Sequence, residues 1–128
     1  MSFTLGARSL QRLEGVHPDL VRVVKRAITL TDLDFTVLEG LRSRERQTVL
    51  YAKGATRTMN SRHLTGHAVD LAPVIAGQVS WDWPLYHKLA LVVFEAAKSE
   101  NVPITWGGNW TTFKDGPHWE LPWEKYPK

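Results

Sequence analysis

Ser61-Arg62-His63-Leu64-Thr65-Gly66-His67-Ala68-Val69-Asp70 is the stretch on which the reading of this chain turns. Its first half is polar and loop-like. From Gly66 the residues alternate and then become apolar through Val74, which predicts a buried strand. Asp70 is the one polar residue in the run Ala68-Val69-Asp70-Leu71-Ala72-Pro73. A carboxylate there faces a large desolvation cost unless it is paired or bound to a metal. Gly66 lets the loop fold back and bring His63 beside Asp70. Far downstream, Asp115-Gly116-Pro117-His118-Trp119 offers a third ligand, His118. A catalytic zinc site takes three protein ligands and leaves a position open for water. His63, Asp70 and His118 are therefore a candidate ligand set, with Asp115 at its edge as a candidate general base. His67 follows His63 by four residues, a chelating spacing on a helix, but Gly66 and the alternation after it predict loop and strand. We read it as a non-ligand.

Composition narrows the chemistry further. The chain has 128 residues, enough for one domain with one core, and no cysteine. A disulfide framework, a cysteine nucleophile and thiolate zinc sites are all excluded. Any metal site must use histidine and carboxylates. The start, Met1-Ser2-Phe3-Thr4-Leu5-Gly6-Ala7-Arg8, lacks the pattern of a secretory signal. The longest apolar stretch, around Leu89–Phe94, is too short to span a membrane. The expectation is a chain made and kept in the cytosol until something releases it, with no stable membrane insertion. Net charge is +3, and only Arg42–Arg46 is densely basic. That cluster also holds Glu45, and no nucleic-acid motif accompanies it, so nucleic acid is not an expected partner. A monomer is expected.

The remaining elements follow outward from the central stretch. A helical turn is expected near Ser9–Leu13. His17-Pro18-Asp19 starts a helix carrying Leu20, Val23, Val24, Ala27 and Ile28 on one face through Leu30. Phe35–Glu39 is aromatic and β-branched enough for a strand. Ser43 can cap a helix running to about Lys53, ended by Gly54. Another helix follows Ser80-Trp81-Asp82-Trp83-Pro84 and ends near Asn101. Val102–Trp106 and His118–Leu121 predict two short strands. The sum is an α+β domain over residues 1–128, with about three helices and four strands. The six tryptophans serve first as core and wall residues, with stacking on sugar rings as the functional alternative. Trp119, next to a ligand, is expected to shape the pocket.

Ser61-x-His63-x-x-Gly66-x-Ala68-x-Asp70 matches every fixed position of a zinc signature, S-x-H-x-x-G-x-A-x-D. It is the signature of the D-alanyl-D-alanine metallopeptidase family, which this chain resembles. That family includes vancomycin-resistance D,D-dipeptidases and D,D-carboxypeptidases, and phage endolysins that are L-alanyl-D-glutamate peptidases. Three further segments resemble family segments in the same order. Glu39-Gly40-Leu41-Arg42-Ser43 is similar to Gly-Tyr-Arg-Ser, with Leu for Tyr; Trp106-Gly107-Gly108-Asn109-Trp110 to Trp-Gly-Gly-Asp-Trp; and Asp115-x-x-His118 to Glu/Asp-x-x-His. The short start and Asp34-Phe35-Thr36-Val37 are similar to the phage endolysins.

The resemblance implies a hedgehog/D,D-peptidase-like fold and one Zn2+ held by His63, Asp70 and His118. It implies Asp115 as catalytic base, and Arg42 as a cation that holds substrate or stabilises the oxyanion. Ser61 is implied either to support the ligands or to touch substrate. Many relatives have Glu as base where this chain has Asp115. Glu120 shares a strand face with His118 and stays open as the alternative base. The implied substrate is the peptidoglycan stem peptide and the implied reaction is hydrolysis of its L-alanyl-D-glutamate bond. Such an enzyme waits in the host cytoplasm until a holin opens the membrane. The alternatives are a D,D-carboxypeptidase or dipeptidase and a non-catalytic zinc-binding interaction domain of the same fold.

Overall fold

A computed structural model describes residues 3–56, 58–112 and 114–127. Its helices are α1 (Ala7–Arg12), α2 (Pro18–Leu30), α3 (Arg44–Ala52) and α4 (Trp83–Ser99). Its strands are β1 (Phe35–Glu39), β2 (Ala68–Ile75), β3 (Gln78–Val79), β4 (Thr105–Trp106) and β5 (His118–Glu120). The main sheet runs β1-β2-β5-β4, with β3 paired to β2, and every pairing is antiparallel. The expected α+β class holds. The expected strand over Val102–Trp106 shortens to two residues, and the hairpin partner β3 joins the sheet beyond the four strands expected. A 3-10 turn, Arg62–Thr65, occupies what reads as plain loop.

Local sequence explains the helix starts. Pro18 begins α2, and the His17 side chain accepts a hydrogen bond from the Asp19 backbone N–H. Ser43 caps α3 by accepting from the Arg46 backbone N–H. Pro84 lies in the first turn of α4.

The two faces of the sheet do different work. Along β2, Val69 and Leu71 point into the core beside Val37, Trp106, Trp119 and Leu121. The apolar faces of α2 (Leu20, Val23, Val24, Ala27) and α4 (Leu89, Val93, Ala96) close the same core. Phe94 packs edge-on against Trp119, with ring centroids 5.1 Å apart. Asp70 belongs to the opposite parity and leaves the core. Its cross-strand partners are Glu39 on β1 and His118 on β5. Three chemically active side chains thus form one row across three neighbouring strands. No helix among the described residues is long and apolar enough to cross a membrane.

Candidate metal centre and cleft

The site is assembled on that row. Ser61 caps the 3-10 turn by accepting from the His63 backbone N–H at 3.1 Å. Gly66 ends the turn in the left-handed region, φ 76°, and its carbonyl accepts from the His17 N–H at 2.8 Å. A Cβ on Gly66 would run into the Gly15 carbonyl, so both conformation and space require glycine. The turn delivers His63, 1% exposed, to Asp70. His63 Nε2 lies 3.2 Å from Asp70 Oδ1, and His118 Nδ1 lies 3.4 Å from the same oxygen. One ligand atom from each of the three residues lies within 4.8 Å of the others.

The far nitrogen of each imidazole is already spoken for. His63 Nδ1–H donates to the Gly40 carbonyl at 2.8 Å, which turns Nε2 toward Asp70. His118 Nε2–H donates to Glu120 Oε1 at 2.7 Å, which leaves Nδ1 facing Asp70. Metal-binding histidines show this pattern: the outer N–H is held by a carbonyl or carboxylate, and the inner nitrogen points at the ion. Two imidazole nitrogens and one carboxylate oxygen suit a divalent ion of the zinc type. These residues therefore fit a metal. His67 stands apart from the cluster; its Nδ1 meets Thr65 Oγ1 at 2.7 Å and its ring packs near His17.

Electrostatics tie the cluster together. Burial alone would raise the Asp70 carboxyl, but hydrogen bonds and charge from His118 and His63 outweigh it and hold Asp70 well below the usual carboxylate range. Burial alone would lower His118, but Asp70 and Glu120 raise it to about 9 in the metal-free chain. Asp115 is pushed up, first by burial and then by the negative charge of Asp70.

An open cleft of about 680 Å³ surrounds the cluster. Asp115 lines it, fixed by its N–H to the Gly107 carbonyl at 3.1 Å and by its carbonyl accepting from the His118 N–H. A Cβ on Gly107 would come within 2.5 Å of the Asp115 carbonyl, so this close approach also needs glycine. Arg42 lines the cleft too, but its guanidinium is anchored. It donates to Glu39 Oε1 at 2.6 Å and to Gln47 Oε1 at 2.8 Å, and lies 4.0 Å from Asp70 Oδ2. Gln47, fully buried, also donates to the Thr58 carbonyl and so fastens the cleft's rim.

Trp119 departs from expectation. It is 1% exposed, packed on Trp106 in the core, and not part of the cleft wall. On strand β5 His118 and Glu120 face the site, so the residue between them must face the other way. The tryptophans that line the cleft are Trp110, 5.1 Å from the His118 ring, and Trp123, stacked 4.1 Å from the Arg62 guanidinium. Arg62 also donates to the Leu121 and Tyr126 carbonyls, tying the C-terminal segment to the motif turn. Trp110 and Trp123 are wall residues, one of the two roles the sequence assigns to the tryptophans, whereas no sequence motif marks Glu39, Arg46 and Gln47 as cleft residues. Helix spacing would have offered one of them: Arg46 and Leu50, one turn apart on α3, both line the cleft.

Known proteins resemble this chain in sequence and in fold. A family model described as phage L-alanyl-D-glutamate peptidase matches residues 1–121. The L-alanyl-D-glutamate peptidase of Escherichia phage T5 is 31% identical, over 90% of this chain and 87% of its own length. The peptidoglycan L-alanyl-D-glutamate endopeptidase CwlK of Bacillus subtilis is 33% identical, over 77% of this chain and 66% of its own. The crystal structure of the Serratia marcescens L-Ala D-Glu endopeptidase ChiX superposes with a TM-score of 0.92 at 48% identity, covering 100% of this chain and 95% of that one. By sequence and by fold, this chain belongs to the phage L-alanyl-D-glutamate peptidase family.

Proposed function

We propose that this protein is a zinc endopeptidase that hydrolyses the L-alanyl-D-glutamate bond of peptidoglycan stem peptides. The observation that carries the reading is the open cleft in which His63, Asp70 and His118 converge with Asp115 on the same wall, in a chain of this family. His63, Asp70 and His118 would hold the zinc ion, which would supply Lewis acidity and a water of lowered pKa. Asp115 accepts the proton of the attacking water and returns it to the leaving amine; its raised pKa brings it nearer the working pH of a general base. Arg42, anchored by Glu39 and Gln47, sets a fixed positive charge beside the carbonyl oxygen as it becomes negative. Glu120 holds His118 in place rather than acting as base, because its carboxylate is engaged by His118 Nε2. Ser61 shapes the turn that presents His63.

The phage relatives support the role of a host-lysing endolysin, made in the host cytoplasm and reaching the wall once a holin opens the membrane. Peptidoglycan is a better partner for this cleft than nucleic acid. The family supports the peptide polymer, and no nucleic-acid motif accompanies the basic residues of the chain. The chain acts as a monomer in this reading. A purely structural zinc domain needs no Asp115 in an open cleft, which disfavours the non-catalytic alternative. The test is digestion of purified peptidoglycan by the zinc-loaded protein, followed by identification of the new termini. Free L-Ala carboxyl and D-Glu amino ends are expected. Release of terminal D-Ala alone sinks the proposal and favours a D,D-carboxypeptidase.

A further inference from the structure

The three arginines of the basic cluster part company in the fold. Arg42 turns inward to Glu39 and Gln47, and Arg44 lies along a separate surface hollow with Leu41 and Leu64. Arg46 lies along the main cleft, and its side chain takes part in no ion pair or hydrogen bond among the described residues. Its backbone N–H is held by the Ser43 cap, so α3 presents the side chain from a fixed first turn. Leu50, one turn on, continues the same wall, and Thr58, Asn60 and Ser61 follow along the cleft.

The cleft's charge makes this arginine conspicuous. Its acids are Glu39, Asp70, Asp115 and Glu120. Arg42 is paired with Glu39 and Gln47, which fixes it in place, and Arg62 is held by the Leu121 and Tyr126 carbonyls and the Trp123 ring. Arg46 is the cleft arginine whose whole guanidinium fork makes no ion pair or hydrogen bond among the described residues; the unpaired nitrogens of Arg42 and Arg62 (Nε of each, and Nη1 of Arg62) are buried behind the partners those side chains already hold. The substrate of the proposed reaction supplies an anion. A glutamate whose amino group is acylated by alanine has two carboxyl groups, and only one continues the peptide. Whichever one does, the other remains a free carboxylate close to the scissile nitrogen. Within this cleft Glu39 is already paired with Arg42, while Asp115 and Glu120 remain as acids near an incoming carboxylate, so a cation that receives it offsets their repulsion. A guanidinium suits that task, since its planar fork pairs with a carboxylate through two N–H donors.

We propose that Arg46 receives the free carboxylate of the D-glutamyl residue and makes the enzyme selective for glutamate over its amide. The inference rests on the reading of the reaction given above. The test uses two synthetic stem peptides that differ only in that group, one bearing the free carboxylate and one the carboxamide. The zinc-loaded wild-type chain is expected to prefer the acid peptide in kcat/KM by roughly tenfold to a hundredfold, the range of one charge-assisted hydrogen-bonded pair. Arg46→Gln is expected to abolish the preference, mainly by raising KM for the acid peptide, with the amide peptide little changed. Arg44→Gln is expected to keep the preference. Equal wild-type turnover of the two peptides overturns the proposal, and so does an Arg46→Gln loss that is the same for both. Calorimetric binding of the product peptide that begins with the D-glutamyl residue to metal-free protein separates this inference from the reading beneath it. If the wild type cuts neither peptide, the reading of the reaction fails. Product affinity that is retained in wild type and lost in Arg46→Gln then still supports the carboxylate site; equal affinity in both chains removes it.

Discussion

At the residue scale, the two acids beside His118 have different surroundings, and these separate their roles. Asp115 faces the cleft with its backbone fixed at both ends and its carboxyl raised by burial and by Asp70. Glu120 is spent on His118 Nε2. Asp115→Asn is therefore expected to lower kcat by about 10²–10⁴-fold with the bound zinc retained. Glu120→Ala is expected to weaken zinc affinity about 10–100-fold, the cost of losing an outer partner to a ligand, and to regain activity in excess zinc. Parallel measurement of metal content and turnover checks both. A Glu120→Ala protein that is full of zinc and inactive, beside an active Asp115→Asn protein, would exchange the two assignments.

At the element scale, the metal site depends on a turn and a strand meeting in a set register. The 3-10 turn Arg62–Thr65 hands His63 to β2, and Gly66 makes the handover. Substituting Gly66→Ala imposes a left-handed backbone on a residue with a side chain and drives a Cβ into the Gly15 carbonyl. The expected loss is more than about 2 kcal/mol of stability, together with weakened metal binding. Urea unfolding measures the first and metal titration the second; a variant within about 0.5 kcal/mol of wild type would show that the turn tolerates a side chain.

The same elements show what was legible in advance. Pro18, Ser43 and Pro84 announce helix starts through their own chemistry, and α2, α3 and α4 begin where these residues predict. Asp70 in an apolar run betrays its exceptional role because an unpaired buried carboxylate is so costly. Trp119 was misread although the rule needed was at hand: alternation along β5 sends it away from His118's face. Other features are invisible to local reading. Glu39 reaches Asp70 only through the β1–β2 register, and Trp123 reaches the cleft only because Arg62 draws in the C-terminal segment. Those contacts join distant stretches of chain, and no spacing within either stretch encodes them.

At the scale of the whole molecule, the proposed zinc site has metal and proton competing for one imidazole, which would couple the site to global stability. In the metal-free chain His118 is raised to about 9 by Asp70 and Glu120 after burial has acted against it. An unfolded histidine titrates near about 6.5. The paired imidazolium's contribution to stability is thus fully present below about pH 6.5 and is lost as pH rises through about 9. Zinc requires Nδ1 without its proton, so its apparent affinity rises with pH over the same window. Asp70 is held well below that window and stays ionised throughout. The two pH trends oppose each other, so metal-free protein weakens as pH rises while zinc stabilises more. Each pH unit is worth about 1.4 kcal/mol for a single proton displaced, which is roughly 5 °C in Tm for a chain of this size. The gap in Tm between zinc-saturated and chelator-treated protein is expected to widen by about that much per unit between about pH 6 and pH 8. Scanning calorimetry in matched buffers measures it. A gap that stays flat across this range would mean that zinc displaces no proton from His118, and that the Glu120–His118–Asp70 chain does not hold the metal-free site protonated.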